Sequence, residues 1–368
     1  MRIVRSKAPL RISFAGGGTD VAPYPDEKGG AVLNCTIDKY AYATLQAHEG
    51  SPGGVRVHSL DYNVNVNYEK AADLVYNGEL DLVKASLKVL RPGNGDDTTR
   101  DALSMFLHSD APPGTGLGSS STMCVALVGA FQHYLREPWT SYEVAELAFR
   151  IEREELGIKG GKQDQYAAAF GGFNYMEFNG PKTIVNPLKI HPDVMNELSY
   201  RLLLCYTGTS RYSNDIIERQ QTSYQQKKSD TVKALDSTKE LAIAMKSELL
   251  RGNIDEMGRL LDEGWQLKKR FTEGISNSRI DAFYESARAE GALGGKLVGA
   301  GGGGYILLFC DAARRADVAK AVQRSGGRVV DFQLEPNGVQ VWAVRAENSS
   351  SGLPEGRVAP PGLSVPTS

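Results

Sequence analysis

The stretch Pro112-Pro113-Gly114-Thr115-Gly116-Leu117-Gly118-Ser119-Ser120-Ser121-Thr122 has the residue types an anion site needs. Gly114, Gly116 and Gly118 can take backbone angles barred to side-chain-bearing residues. Successive N–H groups can then turn toward one point and form a nest for negative charge. Ser119, Ser120 and Ser121 add hydroxyls. Residues Met123 to Leu135 are mostly apolar and predict a buried helix directly after the loop. A helix N-terminus carries N–H groups without intrahelical partners and the positive end of the dipole, so a phosphate fits there. The other reading is a Gly/Ser turn that only caps a core helix. The loop lacks the Lys of G-x-x-x-x-G-K-[ST], and it is not a G-x-G-x-x-G dinucleotide turn.

Around the loop the chain falls into periodic segments. Leu10, Ile12 and Phe14 alternate with Arg11 and Ser13, which predicts a strand, and Gly16-Gly17-Gly18-Thr19-Asp20 predicts a turn after it. Strands are also expected at Val32–Thr36, Ile37–Leu45, Val55–Ser59, Asn63–Asn67 and Leu103–His108, with a helix over Leu80–Leu90. Tyr142 to Leu156 has helical spacing, with Ser141 as N-cap and Gly157 as stop. Asn174–Phe178 reads as a strand. The breakers between Asn179 and Pro192 place a domain boundary near 190, giving units over 1–190 and 191–346. The second unit opens with a strand, Arg201–Thr207, and has helical periodicity over about 215–290. It ends on a strand at Tyr305–Cys310, a helix at Ala312–Ser325, and a hairpin across Glu335-Pro336-Asn337-Gly338. That ending suits a ferredoxin-like α+β domain. Residues 347–368 are Pro/Gly/Ser-rich without periodicity and read as an unstructured tail or an appended remnant.

Composition narrows the function classes. Hydrophobic residues make up 41% and charged residues 23% of the 368, a globular balance. A net charge of -2 speaks against a strongly basic nucleic-acid surface. No apolar run reaches the length of a membrane span, and the N-terminus has no signal-peptide pattern. Cys35, Cys124, Cys205 and Cys310 stand apart among apolar neighbours and read as reduced, buried thiols. The expectation is a cytoplasmic protein with small-molecule partners and neither nucleic acid nor membrane; a homodimer is left open.

Residues Pro112 through Ser120 resemble the P-x-x-x-G-L-G-S-S loop of the GHMP kinases, and two further segments match that family in order. Ala8-Pro9-Leu10-Arg11-Ile12-Ser13-Phe14-Ala15-Gly16-Gly17-Gly18-Thr19-Asp20 is similar to the galactokinase pattern A-P-G-R-x-x-x-x-G-E-H-T-D. Lys296-Leu297-Val298-Gly299-Ala300-Gly301-Gly302-Gly303-Gly304 is similar to K-x-x-G-A-G-G-G-G. The resemblance implies an α+β fold of two domains, a ribosomal protein S5 domain 2-like N-terminal half and a ferredoxin-like C-terminal half. It implies ATP on Pro113, Gly114, Thr115, Gly116, Leu117, Gly118, Ser119, Ser120 and Ser121. It implies Mg²⁺ on Ser120 and an upstream Glu, here Glu152 with Glu155 second. It implies a catalytic Asp in Gly160-Gly161-Lys162-Gln163-Asp164-Gln165. A carboxylate beside a cation can orient or deprotonate a hydroxyl in phosphoryl transfer, and Arg11 could be that cation. Without the motif, Asp164 would read as a turn carboxylate and Arg11 as a solvated strand residue.

The departures bear on the substrate. Gly17-Gly18 stands where galactokinases have Glu-His, which makes galactose a poor expectation. The segments A-G-G-G-T-D, I-E-R-E-x-L-G-I-x-G-G-K-Q-D-Q-Y-A-A-A-F-G-G and T-G-T-S-R look like those of D-glycero-D-manno-heptose 7-phosphate kinases. That likeness implies phosphorylation of O1, on a route to GDP-heptose for surface polysaccharide. It puts the sugar phosphate on Gly17, Gly18, Thr19, Asp20, Gly301, Gly302 and Arg211, with the Arg211 guanidinium on the 7-phosphate. A fucose-, galactose- or mannose-type 1-kinase, or a non-catalytic sugar or nucleotide sensor, are the alternatives.

Overall fold

The computed structural model describes residues 1–91, 101–208 and 214–344. Arg211 and the tail 347–368 lie outside the described residues.

The first half is built on two long strands. β1 (Arg2–Ala15) pairs antiparallel with β2 (Gly30–Pro52), which runs through both segments that the sequence divides. Between them sits a short helix, α1 (Tyr24–Lys28). The far edge of β2 is shared. Its first part, Gly30–Cys35, pairs with β6 (Phe173–Asn179), and its later part pairs with β5 (Asp101–Ser109). β3 (Val55–Ser59) and β4 (Val64–Tyr68) extend the sheet beyond β5, and β7 (Lys182–Pro187) pairs with β6. Four helices cover one face: α2 (Asp81–Leu90), α3 (Ser119–Leu135), α4 (Ser141–Phe149) and α5 (Gln163–Phe170). Val4 and Ala8 of β1 join their core, together with Cys124, Val128 and Phe131 of α3. Leu10, Ile12 and Phe14 point to the opposite face and join the second half. The alternation in β1 is therefore real, but neither face is solvent: Arg11 is only 4% exposed.

The second half is a four-stranded antiparallel sheet in the order β11-β8-β10-β9. Its strands are β8 (Leu202–Tyr206), β9 (Ala292–Leu297), β10 (Tyr305–Cys310) and β11 (Arg328–Val330). Four helices fill the connection from β8 to β9: α7 (Asn214–Gln225), α8 (Ser229–Arg251), α9 (Ile254–Lys269) and α10 (Ser278–Ala289). α11 (Arg315–Arg324) joins β10 to β11, completing a ferredoxin-like order. Leu202, Leu204, Leu307 and Phe309 of this sheet, and Leu241, Met245, Met257 and Leu261 of α8 and α9, share one apolar core with Leu10, Ile12 and Phe14. The two halves are thus joined by buried apolar surface, at roughly 25 cal/mol per Å² removed from water.

Several expected elements differ. The breaker-rich stretch before residue 192 contains β7, and α6 (Pro192–Arg201) precedes β8. Thr140, not Ser141, caps α4, through a capping box with Glu143. The predicted helix over 142–156 ends as a π-helical turn, Arg150–Glu155. No hairpin forms across Pro336-Asn337-Gly338. β12 (Gln340–Val344) instead returns to the first sheet and pairs with β1. Tertiary hydrogen bonds hold the intervening segment: Glu335 N–H donates to Thr36 O (2.9 Å) and Gly172 N–H donates to Glu335 O (3.0 Å).

Candidate active site

The glycine–serine loop is shaped by what its carbonyls meet. Tyr305 N–H donates to Thr115 O at 3.1 Å and Arg11 N–H donates to Leu117 O at 3.2 Å. Arg11 Nη1 donates to Gly116 O at 2.6 Å. Three consecutive carbonyls are thereby drawn into the protein. Among the described residues, no backbone hydrogen bond starts from the N–H groups of residues 114–118. Gly114, Gly116 and Gly118 have φ of 75°, 91° and 78°, the left-handed region the sequence predicts for them. Left-handed glycines with unbonded N–H groups here run into a helix N-terminus, since α3 starts at Ser119.

The named loop residues divide by role. Leu117 is in the core, so only its backbone can face a phosphate. Pro113 is exposed and has no N–H to offer. The Thr115 hydroxyl donates to Pro112 O at 2.6 Å, and the Ser119 hydroxyl reaches the same oxygen at 3.5 Å. Ser121 is buried, and its hydroxyl donates to Glu152 Oε2 at 2.5 Å. The hydroxyl-bearing side chain left at the surface is Ser120.

Arg11 and Asp164 meet as the sequence suggests. Nε and Nη2 both lie 2.7 Å from Asp164 Oδ1. Asp164 is not in a loop but in the first turn of α5, where a carboxylate interacts well with the helix dipole. It stands over the start of α3: a Cβ placed on Gly118 would be 3.3 Å from its Oδ2. One guanidinium therefore ties the carboxylate to the glycine loop. Arg11 is buried and Asp164 partly exposed, so removing one partner should cost less than the about 3–5 kcal/mol of a fully buried pair.

Asp20 lies beside this pair. Its Oδ1 accepts from Gly18 N–H (3.0 Å) and Gln163 Nε2 (3.1 Å), and its Oδ2 accepts from Gln163 N–H (3.1 Å). Burial, then the nearby charge of Asp164, raise its pKa, while the backbone N–H groups oppose the rise. Gly17 and Gly18 line the same turn, and Gln220 of α7 donates to Gly18 O at 3.2 Å. Thr19 does not face the site. It is fully buried, and its hydroxyl is held by Gly16 O (2.7 Å) and Ala31 O (3.0 Å), so it shapes the turn instead.

The third glycine segment also differs from its expected role. Gly301 and Gly302 are buried against Ile275, with Gly302 N–H donating to Ile275 O at 2.8 Å. Gly299 and Gly304 of the same segment make the close approach to the phosphate-type loop. A Cβ on Gly299 would sit 2.3 Å from Gly116 Cα, and one on Gly304 would sit 2.2 Å from Thr115 O.

Ser120 and Glu152, the residues expected to hold the metal, sit in different settings, one exposed and one buried. Glu152 is buried in the π-helical turn and its carboxylate is already engaged. Oε2 accepts from Ser121 and from Gln165 Nε2 (2.7 Å), and Arg153 Nη1 lies 3.4 Å from Oε1. Glu155 instead accepts from Tyr76 at 2.5 Å. A hard divalent cation needs oxygens that are free to turn to it. Ser120 offers one, and Glu152 keeps Oε1, which has only Arg153 beside it. Among the described residues no group of three or more His, Cys, Asp or Glu is placed to hold a metal ion.

Two buried lysines were missed. Lys296 of β9 is 5% exposed, and its Nζ donates to Phe14 O at 3.3 Å. Lys268 of α9 donates to Leu297 O at 3.0 Å and to Gly299 O. Burial, with the charge of Arg11, pushes Lys296 down to about 7, and Asp20 acts the other way. Burial, then Lys296 and Arg11, push Lys268 well below the ordinary lysine value. Lys296 stood in the third motif, and only the lack of a carboxylate neighbour in sequence hid its setting. A lysine depressed by folding binds fewer protons than in the unfolded chain between about 7 and its ordinary 10.5. Stability therefore rises with pH across that window. Replacing Lys296 by Met should remove its share of that slope and leave the share of Lys268. Urea denaturation at pH 7 and pH 9.5 is expected to show the parent gaining on Lys296→Met as the pH rises; a constant gap would place Lys296 in solvent.

Comparisons with known proteins bear on the family. A family model described as GHMP kinases N terminal domain matches residues 81–172, and one described as GHMP kinases C terminal matches residues 245–328. A D-glycero-alpha-D-manno-heptose 7-phosphate kinase of Campylobacter jejuni is 40% identical over 94% of this chain and 100% of its own. A bifunctional fucokinase/GDP-fucose pyrophosphorylase of Arabidopsis thaliana is 28% identical over 93% of this chain, which spans 32% of that protein. The crystal structure of a D-glycero-D-manno-heptose 1-phosphate kinase from Bacteriodes thetaiotaomicron superposes with a TM-score of 0.76 at 36% identity, covering 93% of this chain and 100% of that one. The carbonyl-anchored glycine loop, the Arg11–Asp164 pair and these matches lead to one statement: the chain belongs to the GHMP kinases.

Proposed function

We propose that this protein transfers the γ-phosphoryl group of ATP to O1 of D-glycero-D-manno-heptose 7-phosphate, giving the 1,7-bisphosphate for GDP-heptose and surface polysaccharide synthesis. The observation that carries the chemistry is Asp164, held by Arg11 2.7 Å away against a glycine loop whose N–H groups make no backbone hydrogen bond among the described residues. The relative at 40% identity supports the sugar. ATP phosphates would lie on the N–H groups of residues 114–118 and the N-terminus of α3, next to the Ser120 hydroxyl. Mg²⁺, when bound with the nucleotide, would take Ser120 and phosphate oxygens and offset their charge. Asp164 orients the acceptor hydroxyl or takes its proton. Arg11 keeps that carboxylate in place and adds positive charge beside the phosphoryl group in flight. Arg211 would bind the 7-phosphate. Asp20 and the Gly17-Gly18 turn would hold the sugar.

The relatives' names differ on which heptose phosphate is the acceptor, 7-phosphate or 1-phosphate. Both would give the same bisphosphate, so the product alone does not distinguish them. The test is ATP consumption with heptose 7-phosphate, heptose 1-phosphate, fucose, galactose and mannose offered singly. Highest kcat/KM on the 7-phosphate is expected. A preference for any unphosphorylated sugar would overturn the heptose phosphate reading, and no ATP turnover with any sugar would favour a sensor.

A further inference from the structure

Lys268 sits where its helix calls for an apolar side chain. It shares the core-facing stripe of α9 with Trp265 and Leu261, one and two turns back, and both of those are fully buried. Lys268 itself is 7% exposed. A buried amine needs acceptors, and this one has two. Its Nζ donates to Leu297 O at 3.0 Å and to Gly299 O. Burial, then the charges of Lys296 and Arg11, oppose its protonation, yet even the uncharged amine carries two N–H groups for those two carbonyls.

The carbonyls belong to the end of β9 and the start of the third glycine segment. β9 is an edge strand, so the backbone groups on its outer side have no neighbouring strand. Val298 N–H donates inward to Tyr305 O at 3.0 Å, which turns Leu297 O to the open edge. Lys268 supplies the donor that a further strand would supply there. The inner side of the same segment meets the glycine–serine loop. Tyr305 N–H, which a regular antiparallel pair would return to Val298 O, donates to Thr115 O at 3.1 Å instead. A Cβ on Gly299 would overlap Gly116 Cα, and one on Gly116 would overlap Val298 O. Residues 297–299 therefore form a thin ribbon with Lys268 on one side and the glycine loop on the other.

We infer that Lys268 is a positioning residue for the nucleotide: it fixes the ribbon 297–299 so that Gly116 keeps the loop in the shape that takes the phosphates. The inference rests on the reading of residues 114–121 as the nucleotide site and adds to it a residue from a helix of the second half. Lys268 acts through backbone carbonyls and not on the reacting atoms. Without it, Leu297 O is a buried acceptor with no donor. The ribbon must then shift to find one, and the loop loses the surface it is pressed against.

The test uses the full-length enzyme, with Mg·ATP binding read by calorimetry and acceptor kinetics read on heptose 7-phosphate at saturating ATP. Lys268→Met keeps the reach of the side chain and removes the donor. It should weaken Mg·ATP binding about 10-fold or more, raise the ATP KM to match, and leave the acceptor KM within about twofold of the parent. Lys296→Met removes the other buried lysine, whose Nζ bonds Phe14 O and neither carbonyl of the ribbon. Its Mg·ATP affinity should stay at the parent value. Should Lys268→Met not fold, Lys268→Arg and Lys268→Gln are compared. Arginine keeps donors at that reach and glutamine falls short, so glutamine should bind Mg·ATP about 10-fold more weakly than arginine. A lowered melting temperature with parent Mg·ATP affinity in Lys268→Met would overturn the inference, because the lysine would then be structural only. Equal weakening in Lys268→Met and Lys296→Met would overturn it as well, and so would equal affinities in the arginine and glutamine variants. A parent that binds no Mg·ATP would overturn the nucleotide reading and this inference together. A parent that refuses heptose 7-phosphate would overturn the substrate reading alone, and the Mg·ATP affinities would still decide.

Discussion

Asp164→Asn is expected to lower kcat by about 10²-fold or more, with Mg·ATP binding nearly unchanged. The asparagine is close to isosteric and still offers Oδ1 to the Arg11 Nε and Nη2 groups that now sit 2.7 Å away. The turn of α5 and the start of α3 should therefore survive. What is lost is the negative charge, and with it the ability to take a proton. Asp164→Ala is a poorer probe, because it leaves the buried Arg11 guanidinium without its carboxylate and confounds chemistry with folding. The asparagine variant also removes a charge that raises the pKa of Asp20, so that carboxyl should titrate lower. Steady-state kinetics on the acceptor, with nucleotide affinity measured separately by calorimetry, would check the prediction. Turnover near that of the parent would remove Asp164 from the chemistry.

The parts of this site that were legible in the sequence are those encoded locally. Glycine spacing specifies left-handed positions, and Gly114, Gly116 and Gly118 all adopt them. Alternation in β1 correctly puts Arg11 and Ser13 on the face away from Leu10, Ile12 and Phe14. It could not show that both faces are buried, because the covering helices α3 and α5 lie more than 100 residues downstream. The surroundings of Glu152 were hidden for a similar reason. Helical charges such as Glu152 usually point to water, yet this one is buried in the π-helical turn against Ser121 and Gln165. The Pro336-Asn337-Gly338 turn has good hairpin residues, yet backbone bonds to Thr36 and Gly172 hold the preceding residue, and β1 captures the strand that follows. Nothing in the composition of residues 340–344 announces a partner more than 300 positions away.

The second large effect concerns the contact between the two glycine segments. Gly116 has φ +91°, and a Cβ on it would stand 2.4 Å from Val298 O, well inside any real contact. Val298 leads into Gly299, whose own added Cβ would meet Gly116 Cα at 2.3 Å. The two backbones touch with no room for a side chain on either. Gly116→Ala must then push the phosphate-type loop away from the second half, in addition to straining the backbone. A cost of about 2–5 kcal/mol in stability is expected from strain and overpacking together, with at least a 10-fold weaker affinity for Mg·ATP as the nest opens. Gly157 separates the two causes. It also has a left-handed φ, +66°, but an added Cβ would meet nothing within 4 Å. Gly157→Ala should therefore show only the backbone penalty, about 1–2 kcal/mol, and bind nucleotide like the parent. Thermal melts and nucleotide titrations of the two variants would decide. If Gly116→Ala costs no more than Gly157→Ala and titrates normally, the close approach of the two segments does not hold the loop in its binding shape.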